Sequence, residues 1–92
     1  MNHSVLNHIM RLPEGHSKGL YKGKKYGVTK EIFNNGKSFK VYAEVLGGTD
    51  FISLNYYITK ENEILKPCEM PEKKVIDFLQ HLRLITEENQ TL

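Results

Sequence analysis

The dipeptide Asn35-Gly36 constrains this chain more than any other feature, because Asn-Gly between alternating apolar segments is a strong signal of a β-hairpin. Both residue types accept the positive φ angles of a two-residue type I′ turn. A slip of one residue would send every apolar side chain to the opposite face of the ribbon, so the pattern specifies the register. The predicted cross-strand pairs are Ile32–Phe39, Glu31–Lys40, Val28–Ala43 and Tyr26–Val45.

The segment Gly47-Gly48-Thr49-Asp50 predicts a second turn, which places Leu46 opposite Phe51. One face of the sheet then remains apolar across three consecutive strands, as expected for an antiparallel meander that is covered on one side. This register predicts the apolar pairs Val45–Ile52, Ala43–Leu54, Val41–Tyr56 and Phe39–Ile58, and the polar pairs Lys40–Tyr57 and Tyr42–Asn55.

Shorter segments extend the meander on both sides. We expect residues 15–19 to form a loop, and the next few residues to form a short strand that turns at Lys22-Gly23. After the polar segment 60–63, another short strand over residues 64–66 ends at Pro67. Proline donates no ladder hydrogen bond, so this strand suits the edge of a sheet.

Apolar residues at helical spacing predict a helix near each end of the chain. The first covers residues 4–12, and the second covers residues 71–85 with Pro71 in its first turn. Residues 86–92 are polar and predict a frayed tail. We therefore expect a single domain, residues 1–92, with a two-layer α+β fold. A four- to five-stranded antiparallel meander over residues 19–66 forms one layer, and both helices cover its apolar face.

Composition limits the class of protein. With 92 residues, of which 39% are hydrophobic and 26% charged, the chain matches one compact domain. No apolar run is long enough to cross a bilayer, and the first residues lack the pattern of a secretory signal. The single cysteine excludes an internal disulfide and fits a reducing compartment. We expect a cytoplasmic protein that does not bind membranes.

Lysine is concentrated in one part of the chain. Seven lysines but only one acid, Glu31, lie between His16 and Ala43, although the whole chain has a net charge of only +2. Such a segment is typical of a solvated surface that keeps a protein soluble, and it also favours the binding of polyanions.

No cofactor or metal motif is complete. Gly36-Lys37-Ser38 matches only the end of a phosphate-binding loop, and it falls in a hairpin instead of between a strand and a helix. The four histidines and the cysteine lack the spacing of a metal site. Asp77 and His81 lie one helical turn apart, which is typical of a surface pair but could also orient an imidazole. We expect neither a cofactor nor a metal.

Cys68 is the main candidate for a catalytic residue. It lies just before the second predicted helix, whose N-terminal dipole would favour a thiolate. Neighbouring lysines would act in the same direction, whereas Glu69 and Glu72 oppose it, and no histidine or second cysteine is adjacent in the sequence. Two interpretations remain open: a reactive thiol, and a small apolar residue in a bend.

The polar face of the predicted sheet is the main candidate binding surface. Aromatic and cationic side chains on an open sheet can stack bases and hold phosphates. The same face could also form a dimer contact, dock another protein or be covered by the chain's own loops. The candidate binding residues are Lys25, Lys40, Tyr42, Asn55 and Tyr57, accompanied by Thr29 and Glu44, with Phe33, Leu46 and Phe51 toward the ends of the strands.

The segment from Gly19 to Leu82 resembles a family of short bacterial proteins that are often labelled peptide methionine sulfoxide reductase. The pieces that carry the resemblance are KYGVTKEIFNNGKSFKVYAE, LGGTDFISLNYY and LKPCEMP. The label implies an oxidoreductase in which a thiol, here that of Cys68, attacks a sulfoxide sulfur and the resulting sulfenic acid is reduced by an external thiol. The chain contains neither the GCFW motif of A-type reductases nor the paired CxxC motifs of B-type enzymes, and it has no tryptophan.

The order helix, antiparallel strands, helix is also similar in topology to double-stranded-RNA-binding domains. Lys73-Lys74 fall in the first turn of the last helix, as the phosphate-contacting lysines of those domains do. Three hypotheses follow: a binding module for an unknown macromolecular partner or for self-association, a thiol reductase, and a nucleic-acid-binding domain. The first is favoured because no complete catalytic motif is present.

Overall fold

The computed structural model describes residues 3–85, and their side chains from Val5 onward. Within this range the chain forms an antiparallel sheet with strand order β5-β4-β3-β2-β1-β6, and two helices. The α+β fold is confirmed, with six strands in place of the expected four or five. The elements are α1 (His3–Met10), β1 (Gly15–Tyr21), β2 (Lys24–Phe33), β3 (Ser38–Val45), β4 (Phe51–Ile58), β5 (Glu63–Pro67), α2 (Glu72–His81) and β6 (Arg83–Ile85).

The hairpin of β2 and β3 confirms the register predicted from Asn35-Gly36. Ile32 lies opposite Phe39, and Glu31 lies opposite Lys40. Asn35 and Gly36 have the required positive φ angles, 57° and 87°, and the Lys37 amide donates a hydrogen bond of 3.2 Å to the Asn34 carbonyl. The turn at Lys22-Gly23 is confirmed in the same way, with φ angles of 53° and 77°.

The pairing of β3 with β4 has the predicted face but not the predicted register. Val41 lies opposite Leu54 instead of Tyr56, a shift of two residues that leaves each side chain on its expected face. The reason is that the turn closes one residue earlier than expected: the Val45 amide donates to the Asp50 carbonyl at 3.0 Å, and Gly47, with a φ of 86°, lies inside the turn. The predicted polar pairs Lys40–Tyr57 and Tyr42–Asn55 are therefore wrong, and the observed pairs are Lys40–Asn55, Tyr42–Ser53 and Ser38–Tyr57.

One segment that was predicted as a loop and another that was predicted as the end of a helix form strands instead. Residues 15–19, expected to be a loop, form most of β1. The second helix ends at His81 and not at residue 85, and β6 then pairs with β1 in antiparallel orientation. The first helix ends at Met10 instead of residue 12, and the expected frayed tail, residues 86–92, lies outside the described residues. β5 lies at an edge of the sheet, as its proline predicts.

Both helices pack on one face of the sheet. Val41 and Leu54 in the central strands are completely buried, as are Ile9 of α1 and Phe78 of α2. The other face of the sheet is not covered by the helices. Exposed and buried residues therefore alternate along the strands, most clearly along β3. No described helix has the length and apolar character needed to span a bilayer.

One of the seven clustered lysines is not a surface residue. Lys30 lies on the apolar face, 3% exposed, and its ammonium group donates hydrogen bonds to the carbonyls of Ile9 (3.0 Å) and Leu12 (2.8 Å). Burial lowers the pKa of Lys30. Arg11 acts similarly between the helices, since its guanidinium donates to the carbonyls of Leu79 (3.1 Å) and Leu82 (2.7 Å). The two cations thus satisfy carbonyls at the C-terminal ends of α1 and α2, which have no partner within their helices.

Gly19 tests how β6 joins the sheet. A Cβ atom at this position would lie 2.7 Å from Leu82 Cδ1 and 3.0 Å from the Arg83 carbonyl oxygen, so Gly19→Ala forces β1 and β6 apart. We expect a loss of about 1–3 kcal/mol in the free energy of unfolding, measured by urea titration. Gly27→Ala is the matched control, because a Cβ atom there would lie 3.6 Å from Leu46 Cδ2, an ordinary van der Waals contact. Equal losses in both variants would contradict the close approach at Gly19.

Candidate binding surface

The sheet face that the helices leave uncovered is called the open face here. It is formed by the outward-pointing side chains of the six strands in residues 15–85. All five candidate binding residues lie on it. Lys40 on β3 lies directly opposite Asn55 on β4, and Asn55 lies opposite Lys66 on β5. These three residues therefore form one row across adjacent strands.

The remaining candidates lie above and below this row. Tyr42 is two residues from Lys40 on β3 and is 39% exposed, whereas Tyr57 is two residues from Asn55 on β4 and is half-buried. Lys25 lies near the far end of β2, about 20 Å along the strand direction from the level of Lys40. The structure therefore brings four of the five together and leaves Lys25 apart.

Cations outnumber carboxylates on the open face. The outward-pointing positions of its strands carry five basic side chains and two acidic ones, a formal charge of +3, whereas the whole chain carries +2. Within the described part of the chain, none of the five cations forms a hydrogen bond or an ion pair through its side chain, and Lys40 has none even with Glu31 opposite it. The five cations are Lys18, Lys25, Lys40, Lys66 and Arg83, and the two carboxylates are Glu31 and Glu44.

Aromatic rings lie on both sides of the Lys40–Asn55–Lys66 row. The rings of Tyr42 and Phe51 are stacked, with centroids 6.1 Å apart and planes inclined by 28°. Sequence reasoning missed this pair, because the two-residue error in register placed Phe51 opposite Leu46 instead of Glu44. Phe33 and Leu46, expected toward the strand ends, are 48% and 47% exposed.

Cys68 continues β5 instead of lying against the second helix. Its amide donates to the Ser53 carbonyl at 2.9 Å, and Asn55 Nδ2 lies 3.6 Å from its sulfur, so the half-buried thiol belongs to the open face. The nearest histidine on that face, His16, is four strands away, roughly 19 Å at the usual strand spacing. His8 and His81 lie on or at the end of helices that cover the opposite face. No described imidazole is thus placed to deprotonate Cys68.

A second feature, missed from the sequence, is a cleft of about 580 Å³ between the β1–β2 turn, the β3–β4 connection and the start of α2. Tyr21 donates a hydrogen bond to Asp77, and Tyr26 donates one to Asp50 at 3.0 Å. Lys74 forms an ion pair with Asp50 at 2.9 Å. Tyr26 was predicted only as an apolar pairing residue, opposite Val45, and Tyr21 had no predicted role. The signal was available, because a buried tyrosine hydroxyl needs a hydrogen-bond partner.

The contacts in this cleft shift the acidity of its carboxyl groups. The hydrogen bond from Lys74 lowers the pKa of Asp50, and the one from Tyr26 acts in the same direction. The hydrogen bond from Tyr21 lowers the pKa of Asp77, which also pairs with His81 at 3.2 Å. Both carboxylates are therefore held by the protein's own donors. Among residues 3–85, no group of three or more His, Cys, Asp or Glu side chains is placed to hold a metal ion.

Comparison with known proteins identifies no relative: no family model, no curated protein and no solved structure matches the chain. Any functional assignment must therefore start from the surfaces described above.

Asp50 and Asp77 should make folding sensitive to acid. Their folded-state pKa values lie below the ordinary value of 3.8, so their contribution to stability is present above that pH and is lost as the pH falls through the folded-state values. In urea titrations from about pH 6 down to pH 2.5, we expect Asp50→Asn to be less stable than wild type at neutral pH and to lose less stability below about pH 4.

The exposed carboxyl of Glu61 on the β4–β5 connection provides the control for this experiment. Glu61→Gln should leave both the neutral-pH stability and the steepness of the acid transition as in wild type. If Asp50→Asn and Glu61→Gln have the same pH profile, the Lys74 and Tyr26 contacts do not stabilise the folded state.

Proposed function

We propose that this protein is an interaction module that binds a polyanionic macromolecule through the open face. The observation that carries the proposal is the set of five cations on that face that have no partner within the described chain, against two carboxylates. Cations that the protein does not neutralise itself attract anionic ligands, and the attraction weakens as salt is added.

The arrangement of the cations supports a chain-like ligand. Lys40 and Lys66 are two strands apart in one row, so their backbones are separated by about 10 Å with Asn55 between them. Lys18 and Arg83 lie toward the opposite edge of the sheet, on β1 and β6. Charges spread over the whole width of the sheet match an extended polyanion better than a single small anion.

Self-association through the open face is the weaker form of the binding hypothesis. Two copies that met face to face would each present the same excess of positive charge, and like charges placed opposite each other disfavour association. Of the exposed apolar side chains on this face, Phe33 and Ile64 lie in one row with Tyr57, beside the lysines, whereas Leu20 lies apart on β1. The lysines next to this row would repel the lysines of a second copy.

Charge-removing variants test the proposal with inorganic polyphosphate as the probe. We expect the wild type to bind, with an affinity that falls steeply between about 50 and 200 mM salt. Lys40→Gln combined with Lys66→Gln should weaken binding roughly tenfold and flatten the salt dependence, because two phosphate contacts are lost. The dissociation constants are measured by isothermal titration calorimetry.

Lys60→Gln combined with Lys73→Gln is the matched control, since it removes the same charge from exposed positions outside the open face. It should change the affinity by less than about twofold. The proposal is wrong if both double variants lose the same affinity, or if the wild type shows no salt-sensitive binding to polyphosphate.

A thiol reductase of the kind that the sequence resemblance implies is the second candidate, and the partial exposure of Cys68 on the open face favours it. In that reaction the thiolate attacks the sulfoxide sulfur and takes its oxygen together with a proton from solvent, which leaves a thioether and a sulfenic acid on Cys68. Two equivalents of an external thiol then return Cys68 to the thiol, with release of water and a disulfide.

Comparison of wild type with Cys68→Ala decides between the two candidates. With a methionine sulfoxide peptide and excess dithiothreitol, we expect equal background rates for the two proteins, because no described imidazole lies near the sulfur to activate it. Polyphosphate binding should persist in Cys68→Ala. Turnover by the wild type that disappears in Cys68→Ala would instead assign the reductase activity to this residue.

A further inference from the structure

We propose that the polyanion bound by the open face is a single-stranded nucleic acid, whose bases stack on the aromatic rings while its phosphates lie against the lysines. This inference rests on the proposed function and names the ligand class. The positive charges alone would suit polyphosphate or an acidic protein equally well, whereas the aromatic side chains favour a ligand that carries bases.

The first support is the order of side chains along the two central strands. Tyr57 lies one level from the Lys40–Asn55–Lys66 row, and Tyr42 lies one level from it on the other side. Each level is two residues along a strand, about 7 Å. An aromatic level, a cationic level and an aromatic level therefore follow one another along the open face, which matches a ligand that alternates flat bases with charged phosphates.

The second support is the stacked pair that Tyr42 forms with Phe51, which lies one level farther from the lysine row, opposite Glu44. Tyr42 and Phe51 have nearly parallel rings, and Tyr42 is 39% exposed, so one ring supports the other while leaving aromatic surface accessible. A ring held in this way is a preorganised platform for a base. Stacking of bases on aromatic side chains tolerates all base types, because every base has a π-face.

The shape of the surface favours a single strand over a duplex. In a duplex the bases are stacked on one another, and proteins reach them by inserting a helix or a ribbon into a groove. Here both helices cover the opposite face, and the open face is a sheet without an inserted element among residues 15–85. Only bases that are free of a duplex can lie on Tyr42 and Tyr57.

The test measures fluorescence anisotropy of labelled 12-nucleotide oligouridine and oligothymidine, which separates RNA from DNA as the source. Competitors are a duplex of the same length, inorganic polyphosphate and polyglutamate. We expect both single strands to bind, and the three competitors to displace them at least about tenfold less well. Tyr42→Ala should weaken binding at least about tenfold with little change in the salt slope, because it removes stacking and no charge.

Two further variants separate stacking from folding. Tyr42→Phe should keep the wild-type affinity, because it retains the ring and loses only the hydroxyl. Met10→Ala, at an exposed apolar position on α1, should bind as wild type does. Urea midpoints of all three variants are measured together, so that a loss of binding in Tyr42→Ala at unchanged stability is attributed to the ring.

Each outcome decides something. Equal competition by polyphosphate and oligonucleotide, with no effect of Tyr42→Ala, overturns the nucleic-acid inference while the polyanion-binding function stands. Preferential displacement by polyglutamate also overturns it and assigns an acidic protein partner. Absence of salt-sensitive binding to any of these polyanions overturns the inference together with the proposed function.

Discussion

The placement of a charged side chain inside the apolar layer determines much of this structure. Lys30 points from β2 into the core, where its ammonium group would be costly without acceptors. The carbonyls of Ile9 and Leu12, at and just after the end of α1, are those acceptors, and the Ile9 carbonyl also accepts from the Leu12 amide at 3.1 Å. The contact also places the ammonium group 5.5 Å from the centre of the Phe39 ring. It therefore ties α1 to the middle of the sheet, and Arg11 ties α1 in turn to the end of α2.

Because these two cations hold both helices on one side, the other side of the sheet is left without cover in the described chain. The lysines of the first half of the sequence are then divided by strand parity. Lys30 is committed to the core, whereas Lys25 on the same strand and Lys40 on the next point outward and have no partner within the described chain. The same residue type thus ties a helix to the sheet on one face and carries positive charge without a described partner on the other.

Sequence reasoning recovered what depends on local turn chemistry and on period-two alternation. Asn35-Gly36 fixed the β2–β3 register, and parity alone placed Lys40, Tyr42, Asn55 and Tyr57 on the correct face. It failed where the exact closure of a turn or a distant contact decides. The bond from Val45 to Asp50 closes the β3–β4 turn one residue earlier than expected and shifts β4 by two residues, and Gly19 lets Leu82 and β6 approach β1 closely. Leu82 and Ile85 fit a helical stripe equally well, so periodicity could not reveal that strand. The buried role of Lys30 depends on carbonyls 18 and 21 residues away in the sequence.

The chemistry of the open face also bears on how selective such a module can be. In the proposed complex, lysine contacts with phosphates and stacking on Tyr42 or Tyr57 would carry little information about base identity. Within residues 15–85, Asn55 is the one amide side chain on the strands of this face, and it lies in the centre of the lysine row. Its only described side-chain hydrogen bond goes to the sulfur of Cys68 at 3.6 Å, a weak acceptor that a better partner can displace. Asn55 could therefore contribute a base preference through its amide, and Cys68 would hold that amide in place.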